Sequence, residues 1–455
     1  MVRYITSLFI LGTIIGCHTS KTSSADVSNA QTISEKAQSP VQFAAGIPAY
    51  NETSYRYKRG NKELATITFK EPVVVSVAEK PEKWGFFQFP NIGRDKSGNI
   101  AVKWNLAADA IESYGVNHFG SAVSNDGGKS WTIKPTDEFP EFTELPNGDL
   151  LTILTPKPIK VEELKLPPAI GRGQDTYARQ PYSFYKLHDL PESRQGVFQK
   201  RLEKGTGTWK EEQAPLHDPR AARYTFRGLF PVLFWGDLRV AKDNSVIAGI
   251  YPGFYIGDDG IVSPKSGVFF YRSDDNAKTW KIQGRILYDI DTKYDSLAYK
   301  RMGFTEPAFD IMPDGSFLTI SRTTDGIGMG PMFTSRSTDQ GKTWSRPVAM
   351  APSGVLPRLI TLENGVTVLS SGRPGVQLRF STDGKGQTWT DPFEMLPYKD
   401  SEGNVNVNSQ VSCGYTGLIP TGPDRFLIVY SDFKFETPIK EIRKAIKVRE
   451  IIVKR

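Results

Sequence analysis

Four side chains in this sequence could do chemistry together. The run Phe304-Thr305-Glu306-Pro307-Ala308-Phe309-Asp310-Ile311-Met312 meets Pro313-Asp314-Gly315, and the returning run ends at Ser321-Arg322. Gly tolerates positive φ and Asp bonds its own turn backbone, so the stretch reads as strand, tight turn, strand. Glu306 enters the hairpin and Arg322 leaves it, which places both at one end of a sheet. A second copy of the pattern carries Arg373 and a third carries Tyr415. A carboxylate, two guanidiniums and a phenol at one rim form a candidate catalytic set. A phenol with an unperturbed pKa of about 10 is a poor nucleophile unless a base takes its proton. Glu306 would be that base. Arginines grip a substrate carboxylate through two parallel hydrogen bonds, a geometry lysine cannot copy.

Something must bring these distant residues to one place, and a repeat does so. Turn signals flanked by apolar runs occur at Lys96-Ser97-Gly98-Asn99, Pro146-Asn147-Gly148-Asp149 and Lys242-Asp243-Asn244-Ser245. They recur at Pro313-Asp314-Gly315, Glu363-Asn364-Gly365 and Gly422-Pro423-Asp424-Arg425. A second signature ending in Trp follows each of the first five. It reads Ser124-Asn125-Asp126-Gly127-Gly128-Lys129-Ser130-Trp131, and similar runs end at Trp280, Trp344 and Trp389, with a degenerate copy at Gly205–Trp209. Such turns use Asp and Ser side chains to cap backbone amides, Gly to bend tightly, and Trp to pack between sheets. Asp126, Asp275, Asp339 and Asp383 are therefore read as turn formers. The alternating tail from Ile442 to Val453 supplies final strands, or closes a ring with a strand from about Tyr55 to Phe69; closure removes exposed sheet edges. The long interval from Thr155 to Trp209 reads as an insertion on one repeat, forming a wall of a cleft.

The Trp-ending signature resembles the Asp box, or BNR repeat, and from about Phe87 to Tyr430 the chain resembles the bacterial exo-sialidases. That resemblance implies an all-β, six-bladed β-propeller and a retaining glycosidase. It implies Tyr415, in Gly414-Tyr415-Thr416-Gly417, as nucleophile, with Glu306 as its base. Arg322 and Arg373, with Arg379 as a neighbouring alternative, are implied as carboxylate binders. A tyrosine suits this chemistry because a sialoside carries a carboxylate on its anomeric carbon, and an anionic nucleophile would approach it against like charge. Ser431 stands where that family usually has Glu. The expected first-blade arginine is missing from Phe89-Pro90-Asn91-Ile92-Gly93, with Arg94 past the expected place. For the proton donor, the loop from Asn105 to His118 offers Asp109, Glu112 and His118.

Composition bounds the remainder. The chain has 455 residues, 38% hydrophobic and 11% aromatic, and a formal net charge of +7. That is ample for a large core, and plentiful Gly and Pro with little helical periodicity favour an all-β fold. No basic cluster is interleaved with aromatics as nucleic-acid binders require. No Cys/His cluster has zinc spacing and no phosphate loop opens a helix, so neither metal nor cofactor is expected. Residues 1–16 read as a bacterial lipoprotein signal, its apolar run too short for a permanent bilayer span. Cys17 would be the acylated first residue of the mature chain, tethering it to the outer membrane. Residues 17–48 are a polar tether, and residues 49–455 the propeller. Cys413 is then unpaired and expected to be a small buried side chain.

Three readings stand at this point. The first is an exported glycoside hydrolase releasing a terminal acidic sugar, most simply α-linked sialic acid. The second is a propeller lyase acting on uronate polymers through a Tyr or His pair. The third is a glycan-binding lipoprotein without catalysis.

Overall fold

The computed structural model describes residues 51–115, 118–134, 142–174, 180–324, 330–396 and 411–455. The signal segment, the tether and Cys17 lie outside the described residues. The chain is an all-β propeller whose strands pair antiparallel, apart from Leu216–His217, which pairs parallel with Trp280–Ile286. Four sheets have four strands each. One runs Phe86–Arg94, Ile100–Leu106, Phe119–Ser124 and Thr132–Ile133, and another Thr143–Glu144, Leu150–Ile153, Val197–Leu202 and Trp209–Ala214. The third runs Phe304–Ile311, Phe317–Thr323, Met332–Ser337 and Val348–Ala351. The fourth runs Val355–Thr361, Thr367–Gly372, Val376–Ser381 and Phe393–Glu394.

A fifth sheet, of six strands, contains both ends of the described chain. Ile442–Lys454 lies between Arg425–Glu436 and Lys62–Phe69, with Thr66 opposite Lys454 and Phe69 opposite Ile451. The tail therefore does both things expected of it: it completes its own sheet and receives the first strands of the propeller. The turn count predicts six blades; the propeller has five. Five sheets are discrete blades. The remaining strands form a ten-stranded composite in which Trp235–Val240, Val246–Tyr255, Gly267–Ser273 and Trp280–Ile286 are extended by inserted strands.

The insertion is also smaller than the interval from Thr155 to Trp209. Val197–Leu202 already belongs to its blade, opposite Leu150–Ile153. The segment between contributes Gly171–Gln174 and Pro181–Lys186. The latter pairs with Ala221–Phe226, which joins the composite where Ala222 faces Phe254.

The Ser–Asp turns behave as local chemistry dictates. Asp126 Oδ1 accepts hydrogen bonds from the Ser124 hydroxyl at 2.8 Å and the Ser130 N–H at 2.9 Å. Asp275 repeats both contacts, at 2.7 and 2.9 Å. The tryptophans that end these turns pack across neighbouring sheets. Trp344 stacks on Phe270 at 4.0 Å between centroids, and buried Trp280 joins Val197 and Ala214 of the preceding blade. Deleting one such ring would cost roughly 3–5 kcal/mol.

Asp339 shows how strongly a turn holds its carboxylate. Burial raises the group, but the Thr343 hydroxyl and N–H and the Ser337 hydroxyl outweigh it and hold its pKa at about 2. Its stabilisation is complete above the unfolded carboxylate pKa of about 3.9 and is lost as pH falls through the folded value. Asp339→Asn should therefore melt below the parent protein at pH 7, with the gap closing between roughly pH 4 and pH 2. Thermal melts across that window measure it, and a constant gap would show that the turn does not depend on the charge.

Candidate active site

Glu306 lies in the innermost strand of its sheet at a break in the ladder. Register shifts between Thr305 and Ala308, and Thr305 faces Arg322 across the hairpin. Glu306 has φ +47°, a conformation unusual outside glycine. The extra residue of such a bulge turns a side chain away from the regular pleat. The same device recurs in neighbouring blades. Register shifts at Phe86–Asn91 accompany Phe89 at φ +50°, and a shift between Val355 and Arg358 accompanies Leu356 at φ +37°. Positive φ outside glycine costs of order 1–3 kcal/mol per residue, and its clustering here marks a site that the surrounding sheets hold in place.

The bulges aim their groups at one another. Glu306 Oε2 accepts the Leu356 N–H at 2.8 Å, a donor that the second bulge has freed from its ladder. Glu306 Oε1 accepts Arg322 Nη1 at 2.7 Å and also the Tyr415 hydroxyl. Arg322 Nη1 stands 3.5 Å from that hydroxyl. Glu306 and Arg322 are both buried, at 8% and 7% exposure, so each needs the other's charge. Burial raises the Glu306 carboxyl, but the Arg322 guanidinium and the hydrogen bonds from Arg322, Tyr415 and Leu356 outweigh it and hold it below the usual range. Burial, and then the Glu306 charge, push the Tyr415 phenol well above its ordinary value. The resting site is thus a neutral phenol donating to an ionised carboxylate.

Arg373 completes the group from the next blade. Its Cζ lies 5.8 Å from the Tyr415 ring and 5.5 Å from the Trp84 ring, and its Nε donates to the Cys413 carbonyl at 3.1 Å. Close backbone packing makes this possible. A Cβ on Gly372 would meet Gly414 Cα at 2.2 Å, so only glycine lets the Tyr415 segment press against that strand. Cys413 is buried, as expected of it, and its N–H donates to the Ser431 hydroxyl at 3.2 Å. Arg379 is a correction. It is buried in the strand Val376–Ser381, with Nη1 3.4 Å from the Ser371 hydroxyl, and makes no contact with the Tyr415, Glu306 and Arg322 group among the bonds described.

Aromatic rings stand where the resemblance places a third arginine. Phe89 packs 4.9 Å from the Tyr415 ring, and Trp84 packs 5.9 Å from Phe89. Arg94 does not substitute. It closes the other end of the strand and hydrogen-bonds the Gly98 carbonyl at 2.9 Å. Trp84 Nε1 donates to Asp109 Oδ2 at 2.8 Å, fixing that exposed carboxylate on the cleft wall. The three donor candidates are thereby separated. Asp109 lines the cleft, whereas Glu112 and His118 are exposed and line none of it.

The cleft has a volume of about 1790 Å³ and reaches from Tyr415 and Glu306 across the inner strands. Its floor holds residues that the sequence reading passed over. Arg239 Nε bonds Asp310 Oδ1 at 2.9 Å, and Arg358 Nη1 lies 3.4 Å from Asp237 Oδ1. All four lie within the strands Trp235–Val240, Phe304–Ile311 and Val355–Thr361, and the available signal was a charged residue inside a largely apolar run. Among the described residues, no group of three or more His, Cys, Asp or Glu side chains is placed to hold a metal ion.

No family model and no curated protein sequence matches this chain. Solved structures do match it. A Dyadobacter fermentans protein described as of unknown function aligns with TM-score 0.56 and 19% identity, over 85% of this chain and 99% of that one. A Penicillium chrysogenum α-L-arabinanase complexed with arabinobiose aligns with TM-score 0.45 and 14% identity, over 83% and 98% of the two chains. A Trypanosoma rangeli sialidase complexed with 2,3-difluorosialic acid aligns with TM-score 0.41 and 13% identity, over 89% of this chain and 59% of that one. At these identities the likeness concerns the fold alone.

The ion pair can be tested without any substrate. Arg322→Met leaves a buried carboxylate without its counter-charge and should cost about 3–5 kcal/mol. The same change in a Glu306→Gln background should cost much less, because a neutral amide needs no cation. Denaturant unfolding of the four proteins in a double-mutant cycle measures the difference. Equal losses in both backgrounds would dissolve the pair.

Proposed function

We propose that this protein is a retaining glycoside hydrolase that releases a terminal acidic sugar, most simply an α-linked sialic acid. One observation carries the reading: the Tyr415 hydroxyl donates to a buried, ionised Glu306 that Arg322 and the Leu356 N–H hold in place. A carboxylate at the anomeric carbon explains why a neutral phenol serves better than Asp or Glu. The two guanidiniums flanking Tyr415 supply positive potential for that carboxylate, and Arg373, half-buried, is assigned to bind it.

The reaction runs as two displacements. The Tyr415 oxygen attacks the anomeric carbon and its proton passes to Glu306. Asp109 protonates the departing glycosidic oxygen, so the aglycone leaves as an alcohol. Asp109, now a carboxylate, takes a proton from water. That water displaces the tyrosine, and Glu306 returns its proton to the phenolate. Two inversions at one carbon give net retention. The Arg322 charge supports this sequence by keeping Glu306 ionised before attack.

For the uronate lyase reading, His118 is exposed and does not line the cleft, so proton transfer there would fall to Tyr415. A binding-only role leaves the strained, buried Tyr–Glu–Arg chain without a purpose. A fluorogenic sialoside and a panel of uronic-acid polysaccharides separate the three readings. Aglycone release supports the hydrolase, a new unsaturated uronate supports the lyase, and silence in both supports binding alone.

Two substitutions test the assigned roles. Tyr415→Phe should abolish hydrolysis while its thermal midpoint stays near that of the parent; full activity in this variant would remove Tyr415 as nucleophile. Asp109→Asn should slow release of an alkyl or sugar alcohol by about 10²–10⁴-fold, the usual worth of a positioned acid. Release of a good aryl leaving group, which departs without protonation, should slow far less. Equal loss for both leaving groups in steady-state kinetics would take the acid role from Asp109.

A further inference from the structure

Trp84 touches two groups with assigned roles, Asp109 and Arg373. Its Nε1 donates to Asp109 Oδ2 at 2.8 Å, and Arg373 Cζ lies 5.5 Å from its ring. The ring packs edge-on against Phe89 at 5.9 Å and against Phe433 at 6.5 Å. An indole held between two rings and a guanidinium has little freedom to follow a carboxylate on a loop. The carboxylate follows the indole instead.

The backbone around Trp84 is docked onto the Asp109 loop. Lys83 to Phe86 form a tight turn, closed by the Phe86 N–H donating to the Lys83 carbonyl at 3.3 Å, with Gly85 at φ +96°. A Cβ on Gly85 would meet the Ala107 carbonyl oxygen at 2.2 Å and the Asp109 nitrogen at 2.8 Å, so only glycine lets turn and loop come this close. Asn105 Nδ2 bridges the two, donating to the Gly85 carbonyl at 2.8 Å and to the Ala107 carbonyl at 2.9 Å. From the sheet that contains both chain ends, Lys444 Nζ donates to the Lys83 and Phe86 carbonyls at 2.7 and 3.1 Å. The turn is thereby fixed to its own blade and to the neighbouring sheet.

An indole nitrogen can only donate a hydrogen bond. Asp109 Oδ2 must therefore offer a lone pair whether the group is protonated or ionised, and a proton carried by Asp109 sits on Oδ1. The bond persists through proton transfer and strengthens with it, because a hydrogen bond to a charged acceptor is about twice as strong as one to a neutral acceptor. It favours the carboxylate that remains once the proton has left.

We propose that Trp84 is a positioning residue for the acid: it directs the Asp109 proton to Oδ1 and stabilises the carboxylate formed when the leaving oxygen takes that proton, with the Lys83 to Phe86 turn as its mount. The role in proton transfer rests on the hydrolase reading above; the clamp on Asp109 does not.

Two measurements keep the clamp and the hydrolase reading apart. In the first, the full chain is prepared with isotope-labelled tryptophan for NMR, and Trp84→Phe identifies the Trp84 indole signal among the eight tryptophans. Asp109→Ala removes the acceptor and should displace that signal while leaving the others nearly in place. An undisplaced Trp84 signal would overturn the clamp whether or not the protein is an enzyme. In the second, Trp84→Phe, which keeps a ring against Phe89 and Arg373 but deletes the N–H, is assayed in the parent and in the Asp109→Asn background. In the parent it should slow release of an alkyl or sugar alcohol by about 10–100-fold, the worth of one hydrogen bond to a charged group, mainly in kcat. Release of a good aryl leaving group should change little. In the Asp109→Asn background the same change should cost almost nothing more. Equal losses in both backgrounds would make the ring a support of the fold and remove its positioning role. If the parent cleaves neither substrate while the NMR signal responds, the hydrolase reading fails and the clamp stands.

Discussion

The site depends on a buried ion pair made under strain. Glu306 and Arg322 are almost wholly removed from water, and two isolated charges there would cost far more than a domain's net stability. Together they are tolerable, because the carboxylate takes one guanidinium N–H, one backbone N–H and one phenol, leaving little acceptor capacity unused. The backbone N–H comes from Leu356, in a different blade, and is available only because that strand bulges. The pair thus ties two sheets at their inner edges, and Tyr415 from a third sheet closes the arrangement. Any relaxation of one blade relative to its neighbour would break a charge-assisted bond in a low-dielectric setting.

Division of labour within each blade follows from the same geometry. The Ser–Asp turns and their tryptophans sit between strands and pack sheet against sheet, as Trp344 does on Phe270. They carry repeated, local, self-sufficient chemistry, and so recur with little change along the chain. The inner strands converge from every blade on one cleft, so their residues need not repeat. Phe89, Glu306 and Leu356 all have positive φ beside register shifts in innermost strands, yet present a ring, a carboxylate and a backbone donor. One backbone device serves three chemical ends.

This difference explains what could be read from the sequence. Turns are set by a few adjacent residues, so Asp126, Asp275, Asp339 and Asp383 were recognisable as turn formers. Glu306 and Arg322 were legible because a short hairpin fixes which residues face each other across it. Tyr415 and Arg373 joined them through the logic of the repeat. Arg379 was misplaced because it lies on the strand beyond Arg373, where the pleat turns it into the protein near Ser371. Asp109 could not be separated from Glu112 and His118 by spacing alone; what sets it apart in the structure is its place on the cleft wall and its bond from Trp84, 25 residues earlier in the chain. Bulges left no local mark, so the freed Leu356 N–H was invisible. The expectation of six blades, where the structure has five, failed because it counted turns, and turns do not report that Ala221–Phe226 would extend a neighbouring sheet.

The missing first-blade arginine turns out to be a replacement. Phe89 fills the space beside Tyr415 with an aromatic face, and Trp84 backs it while holding Asp109 and meeting Arg373. A third guanidinium would have added positive charge next to Arg322 and Arg373, favouring an anionic group but repelling its own neighbours. The aromatic pair gives up that charge and gains a rigid, apolar wall that costs little conformational entropy to order. The wall beside Tyr415 therefore carries fewer cationic groups and more ring surface than a three-arginine clamp would.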